Sequence, residues 1–118
     1  MKIRSTISKI STYLLFASAL FFSNKLSSQN VAVSGALSGN GSYPNLAAAF
    51  TAINGGAQTS ANISVQILAS TTETVSAVLN AGAWTSLTIS PSGGSYTVSG
   101  TIAGPLVDLN GADNVSIL

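Results

Sequence analysis

From residue 30 onward the chain contains no lysine, arginine, histidine or cysteine, and its only charges are Glu73, Asp108 and Asp113. A segment of this kind has no disulfides and no ion-pair network to hold it together. Its fold must rest on apolar burial and on hydrogen bonds among backbone, Ser, Thr, Asn and Gln groups. Low charge signals disorder when apolar content is also low. Here Ala, Val, Ile and Leu are abundant, so a packed core is expected. The same shortage of charge excludes whole classes of function. Binding nucleic acid through a basic surface needs Lys and Arg to neutralise phosphates, and electrostatic attachment to anionic lipid needs them as well. Most nucleophile–base and metal-binding constellations draw on His or Cys, and neither occurs in the sequence.

The four basic residues, Lys2, Arg4, Lys9 and Lys25, all lie near the N-terminus. Three of them precede an apolar run from Ile10 to Phe22, which gives way to Ser27, Ser28 and Gln29. A basic head, a short apolar stretch and a small-residue end form the pattern of a cleavable secretory signal peptide, assigned to residues 1–29. The run is shorter than the ~20 residues of a membrane-spanning helix. Membrane contact is therefore expected only through this peptide during export, and the expected location is secreted or on the outer cell surface. Without cysteine, a lipid anchor on an N-terminal Cys is excluded. Removal of the signal takes the net charge from +1 to −3.

Residues 30–42 are Gly- and Ser-rich and read as a lead-in strand and loop. One helix of about 11 residues is expected next, in line with the ordinary length of short globular helices. Pro44 suits its first turn, with Ser42 or Tyr43 at the cap. Leu46, Phe50 and Ile53 share one face, and Asn54-Gly55-Gly56 is the expected left-handed stop. From residue 63 the period becomes two. Ile63, Val65 and Ile67 alternate with polar residues, as do Leu87 and Ile89, Tyr96 and Val98, and Val115 and Ile117. Residues 74–79 and 106–109 are further short apolar runs. Turn chemistry separates them at Asn80-Ala81-Gly82, Pro91-Ser92-Gly93-Gly94, Gly104-Pro105 and Asn110-Gly111. Comparable strands recur at roughly 22 to 28 residues, Ile63 to Leu87 to Val115 and Val75 to Val98, within the span of solenoid repeats. A small sandwich of hairpins is the rival, and antiparallel neighbours would mark it.

The segments SYPNLAAAFTAINGG (42–56), ISVQIL (63–68), TTETVSAVLN (71–80), LTISPSGG (87–94) and PLVDLNGADNVSI (105–117) resemble one family. This is the N-terminal end of large secreted surface proteins of Bacteroidetes-type bacteria that carry a right-handed parallel β-helix of the pectate-lyase-like kind. The resemblance implies an all-β fold: the start of a right-handed parallel β-helix, a β-solenoid, over residues 43–118 behind one short capping helix. It implies that the face of Leu46, Phe50 and Ile53 covers the open end of the first coils. Members of that family run to many more coils and often a C-terminal sorting domain. The resemblance thus marks this chain as an N-terminal fragment or truncated form.

Asp108, Asn110 and Asp113 form the one cluster of acidic and amide side chains. They are a weak oxygen-donor candidate for calcium, and a turn accounts for the same residues without a metal. Asp108 and Asp113 also offer the two carboxylates that glycoside hydrolysis needs, but no Arg, Lys or His stands by to stabilise charge in the transition state. Glu73 reads as a solvated loop residue. Trp84 either stacks on a sugar ring or closes a turn against the core. No catalytic residues and no cofactor are expected in this segment. The expected function is a non-catalytic, structural or adhesin-like module whose partners are glycans or another surface protein, with no nucleic acid. The alternative is the front of a polysaccharide lyase or glycoside hydrolase whose active site lies on downstream coils.

Overall fold

The computed structural model describes residues 28–118, so the signal peptide assigned to 1–29 lies almost wholly outside the described residues. The described chain is a compact mixed-sheet domain with one short helix. The elements run β1 (Val31–Ser34), β2 (Gly41–Tyr43), α1 (Leu46–Asn54), β3 (Asn62–Ile67), β4 (Thr71–Thr72), β5 (Ala77–Val78), β6 (Ser86–Pro91), β7 (Val98–Ser99), β8 (Val107–Asp108) and β9 (Val115–Ile117). A five-stranded sheet has the order β2-β1-β3-β6-β9, and β4 with β7 and β5 with β8 form two small sheets.

The expected start of a right-handed parallel β-helix is overturned by the strand directions. β1 runs antiparallel to both β2 and β3, so the principal sheet is mixed, and only its β3-β6-β9 portion and the two small sheets are parallel. The cause lies in residues 30–42, which form a hairpin rather than a strand and loop. Gly35 (φ 75°) and Gly39 (φ 89°) take the left-handed backbone that lets the chain reverse. Gly35 also lies so close to β3 that a Cβ there would collide with the Asn62 carbonyl. Asn40 clips the reversal, its Oδ1 accepting from Ala36 N–H (2.9 Å) and its Nδ2 donating to the Ala36 carbonyl (2.7 Å). The Tyr43 hydroxyl donates to the Gly39 carbonyl at 2.6 Å.

The period-two reading fixes the register of the parallel strands. Ile63 pairs with Leu87 and Leu87 with Val115, and Val65 pairs with Ile89 and Ile89 with Ile117. Alternation therefore sends whole rows inward together. Val75 does not pair with Val98. It is exposed, and the partner of Val98 is Thr71. Ile63, Val65, Leu87 and Ile89 join Val31 and Val33 of β1 in one core with the helix.

α1 is nine residues long and starts two residues later than the sequence indicates, with Asn45 rather than Ser42 or Tyr43 at the N-cap. Its inner face is the expected one, with Leu46, Phe50 and Ile53 all buried. It lies against β5, β1 and β2. Its end differs from expectation too, because Gly55 stays right-handed (φ −75°) and its N–H still bonds to the Thr51 and Ala52 carbonyls. Phe50 is fully enclosed at the centre of this face, so Phe50→Ala is expected to lower stability by about 3–5 kcal/mol. Urea unfolding of the two proteins measures it, and an unchanged midpoint would refute the assigned packing.

Candidate functional site

The side chains that could carry chemistry are placed by α1 and by the turns that follow the parallel strands. An α-helix leaves its first N–H groups without partners. In α1 those of Leu46, Ala47 and Ala48 are met. Ala48 N–H donates to Asn45 Oδ1 (2.9 Å) and Ala49 N–H to the Asn45 carbonyl (3.3 Å). Leu46 N–H donates to Glu73 Oε1 (2.9 Å) and Ala47 N–H to Glu73 Oε2 (3.0 Å). The Thr71 hydroxyl donates a third bond to Glu73 Oε1 at 3.0 Å.

Glu73 is therefore no solvated loop residue. It is 1% exposed and its carboxylate receives three donors from two segments of chain. A carboxylate supplies acceptors only, and a helix N-terminus favours negative charge, so the match is chemically complete. The signal in the sequence is Thr71-x-Glu73 at period two, which puts both side chains on the inward face of the chain running out of β4. Thr71 is buried as well.

Gln58 is the second buried polar residue missed in the sequence. Its Nε2 donates to the Ser38 and Ile53 carbonyls (2.8 and 3.0 Å) and its Oε1 accepts from Leu37 N–H (2.9 Å), tying the β1–β2 turn to the end of α1. Three asparagines form a ladder along another flank. Asn54 Nδ2 donates to the Val78 carbonyl (2.8 Å) and its Oδ1 accepts from Asn80 N–H (3.0 Å), while Asn110 Nδ2 donates to Asn80 Oδ1 (3.0 Å). No buried side-chain nitrogen or oxygen among the described residues is left without a partner.

The calcium candidates fall on one stretch of chain. Asp108 ends β8, half-buried, and its carbonyl accepts from Leu79 N–H (2.9 Å). Asn110 is committed through its amide nitrogen to the ladder, and Asp113 is exposed just before β9. The bonds these residues make run to other segments, to Leu79, Asn80 and Trp84, and Gly111 between them is left-handed at φ 77°. With Glu73 spent on α1, Asp108 and Asp113 are the two carboxylates outside the core. Trp84 takes the inward of its two readings. It is 5% exposed and its indole N–H donates to the Asp113 carbonyl at 2.7 Å, leaving no face for a sugar ring.

What the domain offers outward is the other face of the five-stranded sheet. Ser34, Ser64, Thr88 and Ser116 stand in one row across β1, β3, β6 and β9. Asn62 and Ser86 begin a second row, joined by a Ser86 Oγ–Asn62 Oδ1 hydrogen bond of 2.9 Å. No charged side chain belongs to either row. Beside β9 lies an apolar recess of about 350 Å³, bordered by Leu46, Ile67, Ile89, Tyr96, Val107 and Ile117. Among the described residues no helix is long and apolar enough to cross a membrane. No family model, no curated protein and no solved structure matches the chain.

Glu73→Ala is expected to strip the acceptors from two backbone N–H groups and a buried hydroxyl, at a cost of about 3 kcal/mol or more. Glu73→Gln keeps the shape and one acceptor, and about half that loss is expected. Denaturant melts of both variants test this. Wild-type midpoints for the pair would show that the carboxylate is not a structural joint.

Proposed function

We propose that the segment beyond residue 29 is a non-catalytic, structural or adhesin-like module of a secreted or cell-surface protein, and that it contacts uncharged glycans. The observation that carries this reading is the division of labour among polar groups. Glu73, Gln58 and the Asn54–Asn80–Asn110 ladder are consumed in holding the fold. The outward rows of Ser, Thr and Asn carry hydrogen-bonding groups without charge. A rigid sheet holds these groups at the regular interstrand spacing of about 4.8 Å. Hydroxyl and amide groups in such an array suit a neutral, polyhydroxylated polymer better than an anionic one, for which residues 30–118 offer no Lys, Arg or His.

Two measurements test the reading. The protein, expressed with its own N-terminus and a C-terminal tag, is expected outside the cytoplasm in a form shortened by the leader. Retention of full-length protein in the cytoplasm would count against export. Retention on a panel of insoluble neutral polysaccharides is expected to fall when Ser64, Thr88 and Ser116 are all replaced by alanine, with the unfolding midpoint little changed. No retention on any polymer, or equal retention by the triple variant, would reject the outward rows as a contact surface.

A further inference from the structure

We propose that Asn110 is a site of spontaneous deamidation, a covalent self-modification that turns its amide into a carboxylate. In the first step the backbone nitrogen of Gly111 attacks the side-chain carbonyl carbon of Asn110. A new C–N bond closes a five-membered imide, the bond to the amide nitrogen breaks, and ammonia departs with the proton given up by Gly111. Water then adds across either C–N bond of the imide, giving aspartate or isoaspartate. The balance is one water consumed and one ammonia released, with no oxidant or enzyme.

Three asparagines in the chain precede a glycine, which offers the attacking nitrogen without a Cβ to shield it: Asn40, Asn54 and Asn110. The structure separates them. Asn40 is exposed, but both ends of its amide are bound to the backbone of Ala36. Asn54 closes α1 with both ends of its amide engaged, and the Gly55 nitrogen is tied to the Thr51 and Ala52 carbonyls. Asn110 is exposed and its side chain is held by one bond, from Nδ2 to Asn80 Oδ1. Gly111 N–H donates to the Leu109 carbonyl (2.7 Å) across a three-residue turn. That turn must open before attack, and exposed turns with little packing open at low free energy.

The product alters the structure around it. A carboxylate at position 110 has no N–H to give Asn80, and it stands in the same segment as Asp108 and Asp113. The Asn80–Gly111 bridge is therefore expected to loosen.

The full-length protein, held folded in mildly alkaline buffer and sampled over time, is digested and mapped by mass spectrometry. The amide-to-acid mass gain and isoaspartate are expected at Asn110 at least about tenfold faster than at Asn40 or Asn54, the ratio set by their different opening costs. The same protein in urea is expected to convert all three at comparable rates, because the structural distinction is gone. Hydrogen exchange at Asn80 and Gly111 is expected to rise with the modified fraction and to stay constant in Asn110→Gln. The proposal is overturned if Asn40 or Asn54 converts first in the folded protein, or if Asn110 converts no faster than they do.

Discussion

A single carboxylate ties the start of α1 to the chain that leaves β4. Glu73 sits where β4 leaves the sheet region and reaches the first two N–H groups of α1. Nothing nearer in sequence could do so, because the first turn of α1 is Leu-Ala-Ala-Ala and has no acidic residue of its own. A nine-residue helix is shorter than the ~12–15 residues at which isolated helices become even marginal in water. α1 therefore depends on its apolar face and on this borrowed cap. Leu46, Phe50 and Ile53 are buried where α1 lies against β1, β2 and β5, and Glu73 together with Asn45 marks where the helix begins. Glu73 in turn is held by its own backbone, whose N–H donates to the Ser99 carbonyl at 2.7 Å.

Local periodicity was the part of this fold that the residues announce. Alternating Ile63, Val65 and Ile67, then Leu87 and Ile89, then Val115 and Ile117, give strands whose inward rows stack in register, and Leu46, Phe50 and Ile53 give the helix face. Direction is another matter, since period two is the same for parallel and antiparallel neighbours. The antiparallel placement of β1 follows from the reversal at residues 35–41, where a Gly- and Ser-rich stretch reads equally as a loop or a hairpin. Pro44 in a first turn points to a cap at Ser42 or Tyr43, whereas Asn45 caps α1. Glu73 and Gln58 are hard to read for a different reason. Apart from Thr71 beside Glu73, their partners are backbone groups, most of them far along the chain, and backbone groups leave no mark on a sequence. For the candidate site, the residues around Trp84 allow both its inward and its outward reading, and the Asn54–Asn80–Asn110 ladder joins the end of α1 to two later turns, no one of which predicts it.

The composition of the described chain and its architecture are mutually consistent. Without ion pairs, long-range order comes from the apolar core and from hydrogen bonds that cross between segments, several of them made by side-chain amides and hydroxyls. Asn amides are suited to this because each both donates and accepts, so they can be chained from one turn to the next. Buried polar groups that are fully satisfied define one arrangement of the chain rather than several. The same use of amides creates the chemical weakness at Asn110, where an amide with a single bond meets a glycine.

The spacing of these cross-connections bears on the order in which the domain can assemble. Leu46 and Glu73 are 27 residues apart, Asn62 and Ser86 are 24, and Asn80 and Asn110 are 30. Contacts of such similar, moderate separation give a chain that closes loops of one size repeatedly instead of one very large loop, and closure entropy grows only slowly with length. As synthesis delivers the chain from its N-terminus, the Leu46 and Ala47 N–H groups of α1 have no Glu73 acceptor until residue 73 has emerged, and Trp84 has no acceptor until residue 113 has. Each of these joints thus stays open until the later segment arrives to close it.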